Sequence, residues 1–514
     1  MDTILARHSS ERAIADWVED NSEVYGNAPA LFNMSGSVAM THAEVADRVS
    51  ALVTEFRALG IGRDTRVAVC LTDGPETLTV LLALMSMSAV LPIHPTAAVD
   101  TFEKMVEKLD ISVVIGAHRP VSAAWKIAEA RGICYVAVET DPSSPAGVCL
   151  TPHRRVDNPS RAQAGLDDVA LYISTSGTTG SSTVVAITQR SLDRNVATHG
   201  ALNGYGPGDR AICVMSFTYL FAYVRASLPI LQRGGAVIVA PGYRFADMQN
   251  CCETLKPTSM TATPTILQKL LADCDARGWR PEPGVLQRLH ATGEAIPDTL
   301  RARLHAMFGA RLGTNYGMTE VSPQVAAYGS EEQFEPGAVG RIVAPWCVDI
   351  VDENGVALPL GSVGRIALRG GYVNAIVGAE KETRFDQEGR FLTGDRGFVD
   401  DAGILFIAGR ADEVINRGGE KLDPKVIEQS LERDPDVQRA VVFGVPDPKL
   451  GQKIVALIVL RNGATRSVQD IREGAGTQIA GWGMPERLVV VPDVPTNANG
   501  KVSRRDLSLR YADA

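Results

Sequence analysis

The chemistry available to this 514-residue chain is concentrated in five short segments. The first is Ser174, Thr175, Ser176, Gly177, Thr178, Thr179 and Gly180, directly after the apolar run 169–173. Its glycines let the backbone bend tightly while N–H groups and hydroxyls point into one concavity, which suits phosphate oxygens. No Gly-Lys-Ser/Thr sequence follows, so this is not a Walker-type loop. Taken alone, such a segment is more often a plain turn.

The second segment is Asn315, Tyr316, Gly317, Met318, Thr319 and Glu320. A tyrosine ring can stack on a purine, a hydroxyl can bond phosphate, and a carboxylate can hold the magnesium ion that accompanies ATP. Its plainer reading is a glycine turn beside a part-buried tyrosine. In the third, Leu392, Thr393, Gly394 and Asp395, a carboxylate at a turn could accept hydrogen bonds from ribose hydroxyls. The fourth spans 409–421 and holds Arg410, Asp412, Gly418 and Gly419, and the fifth is Asn499, Gly500 and Lys501. A lone lysine near a terminus is ordinarily solvated surface.

The elements that must position these segments follow from periodicity. Extended runs at 66–71, 111–115, 169–174 and 236–240 alternate with helical patterns such as 75–89 and 102–108, which predicts parallel strands joined by crossover helices. The uncharged stretch 78–93 reads as a buried helix, because Thr79, Ser86, Ser88 and Pro92 interrupt it too often for a membrane span. Beyond Phe385 short strands and Asp/Gly turns take over. After Arg410 the pattern is α+β, with helices at 424–433 and 468–479 and strands at 440–443 and 454–459. The expected fold class is α/β: a large multi-layered N-terminal domain, residues 1–410, and a small α+β C-terminal domain, residues 411–514. The boundary is short, more like a hinge than a tether.

At this length one hydrophobic core does not suffice, and 45% hydrophobic with 22% charged residues is the composition of a folded globular chain. The 51 basic and 60 acidic residues leave a net charge of −9 with no long basic run, so nucleic acid is not an expected partner. The eight cysteines form no Cys-x-x-Cys pair, which argues against a zinc site or a disulfide framework and for buried reduced thiols. The N-terminus meets charge almost at once and lacks the apolar stretch of a secretion signal. A cytoplasmic location without membrane association is expected.

In this order and spacing the five segments resemble the adenylate-forming superfamily, which includes acyl-CoA synthetases, aryl-acid ligases, peptide-synthetase adenylation domains and luciferases. The resemblance covers roughly 169–501. It implies ATP- and magnesium-dependent, AMP-forming activation of a small carboxylic acid to an acyl-adenylate, then transfer of the acyl group to a thiol, with coenzyme A the expected acceptor. By the same resemblance, Thr175, Ser176, Gly177, Thr178, Thr179 and Gly180 embrace the phosphates, Asn315 lies under adenine and Tyr316 stacks on it. Thr319 touches phosphate, Glu320 binds magnesium, Asp395 holds ribose with Arg410 beside it, and Lys501 reaches both the acid carboxylate and the α-phosphate. Asp412 matches the hinge about which the small domain turns between half-reactions, bringing Gly418 and Gly419 to the thiol channel. The acid pocket is placed along Phe217, Tyr219 and Phe221, near Gly293 and Glu294, and beside Gly317.

One departure stands out. Where the superfamily continues after the phosphate loop with Pro-Lys-Gly, this chain has Ser182, Thr183 and Val184, so Thr183 replaces the loop lysine. Losing a charge-assisted bond costs about 1.5–3 kcal/mol, which predicts weakened ATP use. The aromatics at 217–223 suit an aromatic or short apolar acid, and equally suit a core. Arg225 could pair with a second carboxylate, though an ordinary helix-surface arginine is the plainer expectation. A carrier-protein thiol or an amine remains open as acceptor. So does a non-catalytic binding protein with a degenerate phosphate loop, although the retained Glu320, Asp395, Arg410 and Lys501 weigh against it.

Overall fold

A computed structural model describes residues 11–511 apart from 118–121, 141–146, 155, 157–163, 176–182, 294–295, 323, 330–334, 336, 379–383, 412, 419, 462, 477–482 and 496–501, with the backbone alone at Thr140, Thr175 and Lys421. The described residues fall into two compact units. The first holds those of 1–177, 181–346 and 370–381, and the second those of 347–369 and 382–514. The expected boundary at 410–412 therefore lies inside the second unit.

The first unit is built on two largely parallel sheets. In one, Arg311–Tyr316, Arg288–Ala291, Ser259–Ala262, Arg210–Cys213, Ala236–Val239 and Pro29–Phe32 run parallel in that order. Ala326–Tyr328 continues it antiparallel beside Arg311–Tyr316. In the other, Val169–Thr175, Ala89–Pro92, Arg66–Cys70, Val113–Ala117 and Cys134–Thr140 are parallel, and Thr183–Thr188 returns antiparallel along Val169–Thr175. The expected strands at 66–71, 111–115, 169–174 and 236–240 are all present within two residues of their predicted ends.

The stretch 78–93 is not one helix. The helix Pro75–Met85 ends at Ser86, and Ala89–Pro92 is a strand inserted between Val169–Thr175 and Arg66–Cys70. A fully buried helix and a fully buried parallel strand both read as continuous apolar sequence, so periodicity could not separate them. The break is local: Ser86 and Ser88 return their hydroxyls to the carbonyls of Ala83 and Leu84, and the Ala89 N–H goes to the Thr65 carbonyl instead of continuing the helix.

Six of the eight thiols are buried as expected, but Cys149 and Cys347 are exposed. Among the described residues no helix is long and apolar enough to cross a membrane.

In the second unit, Cys347–Val351, Gly364–Arg369, Phe391–Val399 and Ile404–Arg410 pair antiparallel in sequence order. The C-terminal α+β part has the hairpin Ile415–Arg417/Glu420–Leu422 and the long antiparallel pair Val437–Asp447/Gly451–Leu460, with Arg487–Val490 parallel to the latter. Helix Pro424–Glu432 starts at an Asp423 cap with proline in its first turn. The last helix, Arg504–Arg510, is capped by Ser503.

That last helix is anchored by charge. The Arg504 guanidinium donates to Glu413 at 2.6 Å, to Glu428 at 2.8 Å and to the Val442 carbonyl at 3.0 Å. Burial pushes the Glu428 carboxyl up, and Arg504 pulls it back. Arg504→Met removes that offset, so the folded variant holds Glu428 as a neutral acid more readily than the unfolded chain does. Its stability deficit should be small near pH 4 and widen toward about 3 kcal/mol as pH rises to 7 and the buried carboxylate must ionise alone. Urea unfolding at both pH values checks this, and an equal deficit at the two would contradict it.

Candidate functional site

Parallel strands deliver their following loops to one edge of a sheet, and ligands of open α/β sheets bind outside the carboxyl ends of the strands. Most of the first unit's candidate residues lie there. Gly293 follows Arg288–Ala291 with a left-handed φ of 91°, Asn315 and Tyr316 end Arg311–Tyr316, and 217–223 follows Arg210–Cys213. Neighbouring registers Ala262↔Ala291 and Ala291↔Thr314 bring these ends level.

The turn 317–320 is held by a buried polar network. The Asn374 side chain donates to the Thr319 carbonyl at 2.8 Å and accepts from the Ser191 hydroxyl at 2.6 Å, while its backbone N–H donates to the Glu320 carbonyl at 2.7 Å. Ser322 returns its hydroxyl to the Ser191 carbonyl at 2.7 Å, and Asn195 donates to Ser322 at 2.6 Å. Asn374, Ser191, Asn195 and Ser322 are all buried. These four were not singled out in the sequence. Serine and asparagine have no periodic signature, and partners more than 120 residues apart cannot be matched by spacing.

The strand segments around Asn374 join two candidate segments. Tyr372–Val373 pairs with Val321–Ser322, directly after the Thr319–Glu320 turn. Ala375–Ile376 pairs with Val185 and Ala186, and the Val377 N–H donates to the Val184 carbonyl at 2.8 Å. The residues from Ser176 to Gly180 lie outside the described residues, but the strands flanking them form a hairpin in which Thr175 stands opposite Thr183. Thr183, at the expected lysine position, therefore opens the return strand.

Glu320, Thr319 and Gly317 are half-buried at the crevice edge, and Tyr316 is buried. The aromatic stripe divides. Tyr223 is wholly buried, donates to the Phe217 carbonyl at 2.7 Å and packs on the Phe217 ring, so both belong to the core. Tyr219 and Phe221 are half-buried. The Phe217 N–H donates to Asp73, whose carboxyl is pushed up by burial. Glu294 lies outside the described residues.

The helix-surface expectation for Arg225 is overturned: the residue is 3% exposed. It lies in the π-helical turn Ala222–Ser227. Pro229, four residues on, has no N–H to return to the Arg225 carbonyl, which accepts instead from the Thr261 hydroxyl at 3.2 Å.

In the second unit, Asp395 and Arg410 are cross-strand neighbours with their charges 3.6 Å apart, the carboxylate largely buried and the guanidinium more open. The turn expected at Asp395 is instead part of the strand Phe391–Val399, in which Thr393 donates to the Ile366 carbonyl and accepts from the Asp395 N–H. A Cβ at position 394 would meet the Arg410 guanidinium at 2.7 Å, so glycine there gives the arginine its room. Gly418 directly follows the hairpin strand Ile415–Arg417 with φ 61°, a conformation that favours glycine. Gly419, Asp412 and Lys501 lie outside the described residues.

The comparisons with known proteins agree with this architecture. Residues 18–375 match the model of the AMP-binding enzyme family, and residues 426–501 that of the AMP-binding enzyme C-terminal domain. The chain belongs to this family, the adenylate-forming enzymes, with an α/β fold of a larger N-terminal and a smaller C-terminal domain. It is an ATP-dependent, AMP-forming ligase, and its relatives are CoA ligases. A probable CoA ligase, CCL9, of Humulus lupulus is 29% identical over 92% of this chain and 91% of its own. An oxalate–CoA ligase of Arabidopsis thaliana is 28% identical over 94% and 95%. The crystal structure of ATP-bound MatB from Rhodopseudomonas palustris superposes with a TM-score of 0.84 over 96% of this chain and 99% of that one, at 22% identity.

Asn374→Ala tests the polar network. It should cost about 1–3 kcal/mol of stability, because the Ser191 hydroxyl loses its acceptor and the Thr319 carbonyl its donor. It should also lower kcat/KM for ATP about tenfold or more by loosening the Thr319–Glu320 turn. Chemical denaturation and pyrophosphate release measure the two effects, and a folded variant with unchanged ATP kinetics would contradict the assignment.

Proposed function

We propose that the protein converts a small carboxylic acid, ATP and coenzyme A to an acyl-CoA, AMP and pyrophosphate. The observation that carries this reading is the fixed Thr319–Glu320 turn, bonded through residues 372–377 to the hairpin that bears the Ser/Thr/Gly loop. A platform tied to a phosphate loop suits ATP, whose catalytic demands are positioning and charge neutralisation.

In the first step a carboxylate oxygen attacks the α-phosphorus and pyrophosphate leaves. In the second the thiol sulfur, having lost its proton, attacks the acyl carbon and AMP leaves. Tyr316 lies under adenine with Asn315 beside it, the segment from Thr175 to Gly180 wraps the phosphates and Thr319 bonds them. Asp395 takes the ribose hydroxyls and Arg410 the adjoining phosphate. The magnesium carried with ATP supplies charge neutralisation and fits the half-buried Glu320 carboxylate at the crevice edge, since such an ion takes most of its ligands from phosphates and water. Lys501 holds the acid carboxylate against the α-phosphate.

Tyr219, Phe221, Gly293, Glu294 and Gly317 line the acid pocket, with Phe217 supporting them from the core. Coenzyme A as acceptor rests on the CoA-ligase relatives. Asp412 remains the hinge, and Gly418 and Gly419 the passage for the thiol.

Lys501→Ala separates the two half-reactions. Adenylate formation, read as pyrophosphate release in a single turnover, should slow by about 100-fold or more, because the lost contact is made in the transition state. Thioester formation from pre-made acyl-adenylate and coenzyme A should stay near wild type, while a bulky residue at Gly419 should do the reverse. Equal losses in both steps for Lys501→Ala would overturn the two-step assignment.

A further inference from the structure

Arg225 is a buried cation with no carboxylate paired to it among the described residues. Its Nη1 donates to the Val224 carbonyl at 2.8 Å, and among the described residues its Nε has no hydrogen-bond partner and it forms no ion pair. Its surroundings are Tyr205, His199 and His290. The two imidazoles stand edge to face, 5.2 Å between centroids. His290 is held neutral, pushed down to about 3 by burial first and then by Arg288 and Arg225, and His199 is lowered in the same direction. The nearby carboxylate of Asp209 is already taken by Arg288 and Thr258. Burial lowers the Arg225 guanidinium itself to about 9, so it remains charged at neutral pH.

A desolvated charge costs several kcal/mol unless an opposite charge meets it. Neutral imidazoles and a phenol do not provide one.

The cluster adjoins the strands that lead to the proposed acid pocket. His290 is on the strand that leads to Gly293, and Gly313 on the next strand makes room for its ring, since a Cβ there would stand 2.3 Å from Nδ1. Gln324 lies against His199 and makes no hydrogen bond of good geometry among the described residues. Its Cα would be 3.5 Å from a Cβ at Gly317. Thr292, beside Gly293, is buried, and its hydroxyl has no hydrogen-bond partner among the described residues. A polar, positively charged interior thus backs the two glycines named for the acid pocket.

We infer that Arg225 is the counter-ion for a second anionic group on the acid, so that the substrate is a short carboxylic acid bearing a further carboxylate or sulfonate. This rests on the ligase reading above. The reacting carboxylate stays at the crevice mouth while the second anion enters toward Arg225, with the Gln324 amide and Thr292 hydroxyl as added donors.

The test is pyrophosphate release by the full chain over paired acids: succinate and glutarate, 3-sulfopropionate, and the chain-matched butyrate and valerate. Wild type should prefer the dianionic acids by about 100-fold or more in kcat/KM, since a site built for a polar group rejects the analogue lacking it. Arg225→Met should cut that ratio by about 100-fold, mainly through KM for the acid with KM for ATP unchanged, and Arg225→Lys should restore part of it. A higher rate with 3-sulfopropionate than with succinate identifies sulfonate as the better second anion, and the converse identifies carboxylate; either supports the inference. Butyrate or valerate used as well as succinate by wild type overturns it and leaves the ligase reading standing, as does a folded Arg225→Met with the wild-type ratio. Should Arg225→Met fail to fold, the wild-type ratio and Arg225→Lys decide. Absence of pyrophosphate release with every acid overturns the ligase reading and this one with it.

Discussion

The side-chain amide of Asn374 is the constraint on which the chemistry proposed for the first unit depends. It has one acceptor and two donor positions, and the structure uses both functions on the backbone and side chains of segments far apart in sequence: the Ser191 hydroxyl on one side, the Thr319 carbonyl on the other. Because the group is 2% exposed, water cannot replace either bond, and a buried network of this kind is stiff only when each member is satisfied. Tyr372–Val373 and Ala375–Ile376 then have fixed directions, one pair into Val321–Ser322 and the other into the phosphate-loop hairpin. A single asparagine therefore sets the spacing of the two segments that the proposed function brings to one nucleotide.

Charge is handled differently in the two units. In the second, Arg504 is paired with Glu413 and Glu428, and the surrounding turns are pinned by carboxylates that accept backbone N–H groups. Such sites are complete in themselves. In the first, Arg225 is desolvated with no carboxylate beside it among the described residues, and its carbonyl accepts from the Thr261 hydroxyl. A folded chain that keeps an uncompensated charge in its interior has put stability at risk for recognition, which is the pattern expected where binding rather than packing chose the residue.

The parallel strands and the family resemblance were legible in the sequence, because strand alternation and short glycine-rich motifs are local signals, although residues 392–395 proved to be strand and not turn. Other features were not. The helix Pro75–Met85 and the strand Ala89–Pro92 merged into one apolar run, since both are buried on every side. The Asn374 network escaped because its members are ordinary polar residues whose meaning lies in contacts across more than 120 positions. Arg225 was misjudged because charge suggests surface, and only the surrounding strands and helix reveal that it faces inward. The aromatic stripe could be divided only by burial: Tyr223 and Phe217 fill the core, while Tyr219 and Phe221 remain at its margin.

The central claim is that the acid is activated by direct attack of its carboxylate on the α-phosphorus of ATP. An acid that supports turnover, labelled with oxygen-18 in both carboxylate oxygens, tests this most directly by mass spectrometry of the products. The account predicts one labelled oxygen in AMP, one retained in the thioester carbonyl and none in pyrophosphate. Unlabelled AMP, or label in a phosphate released with ADP, would contradict it.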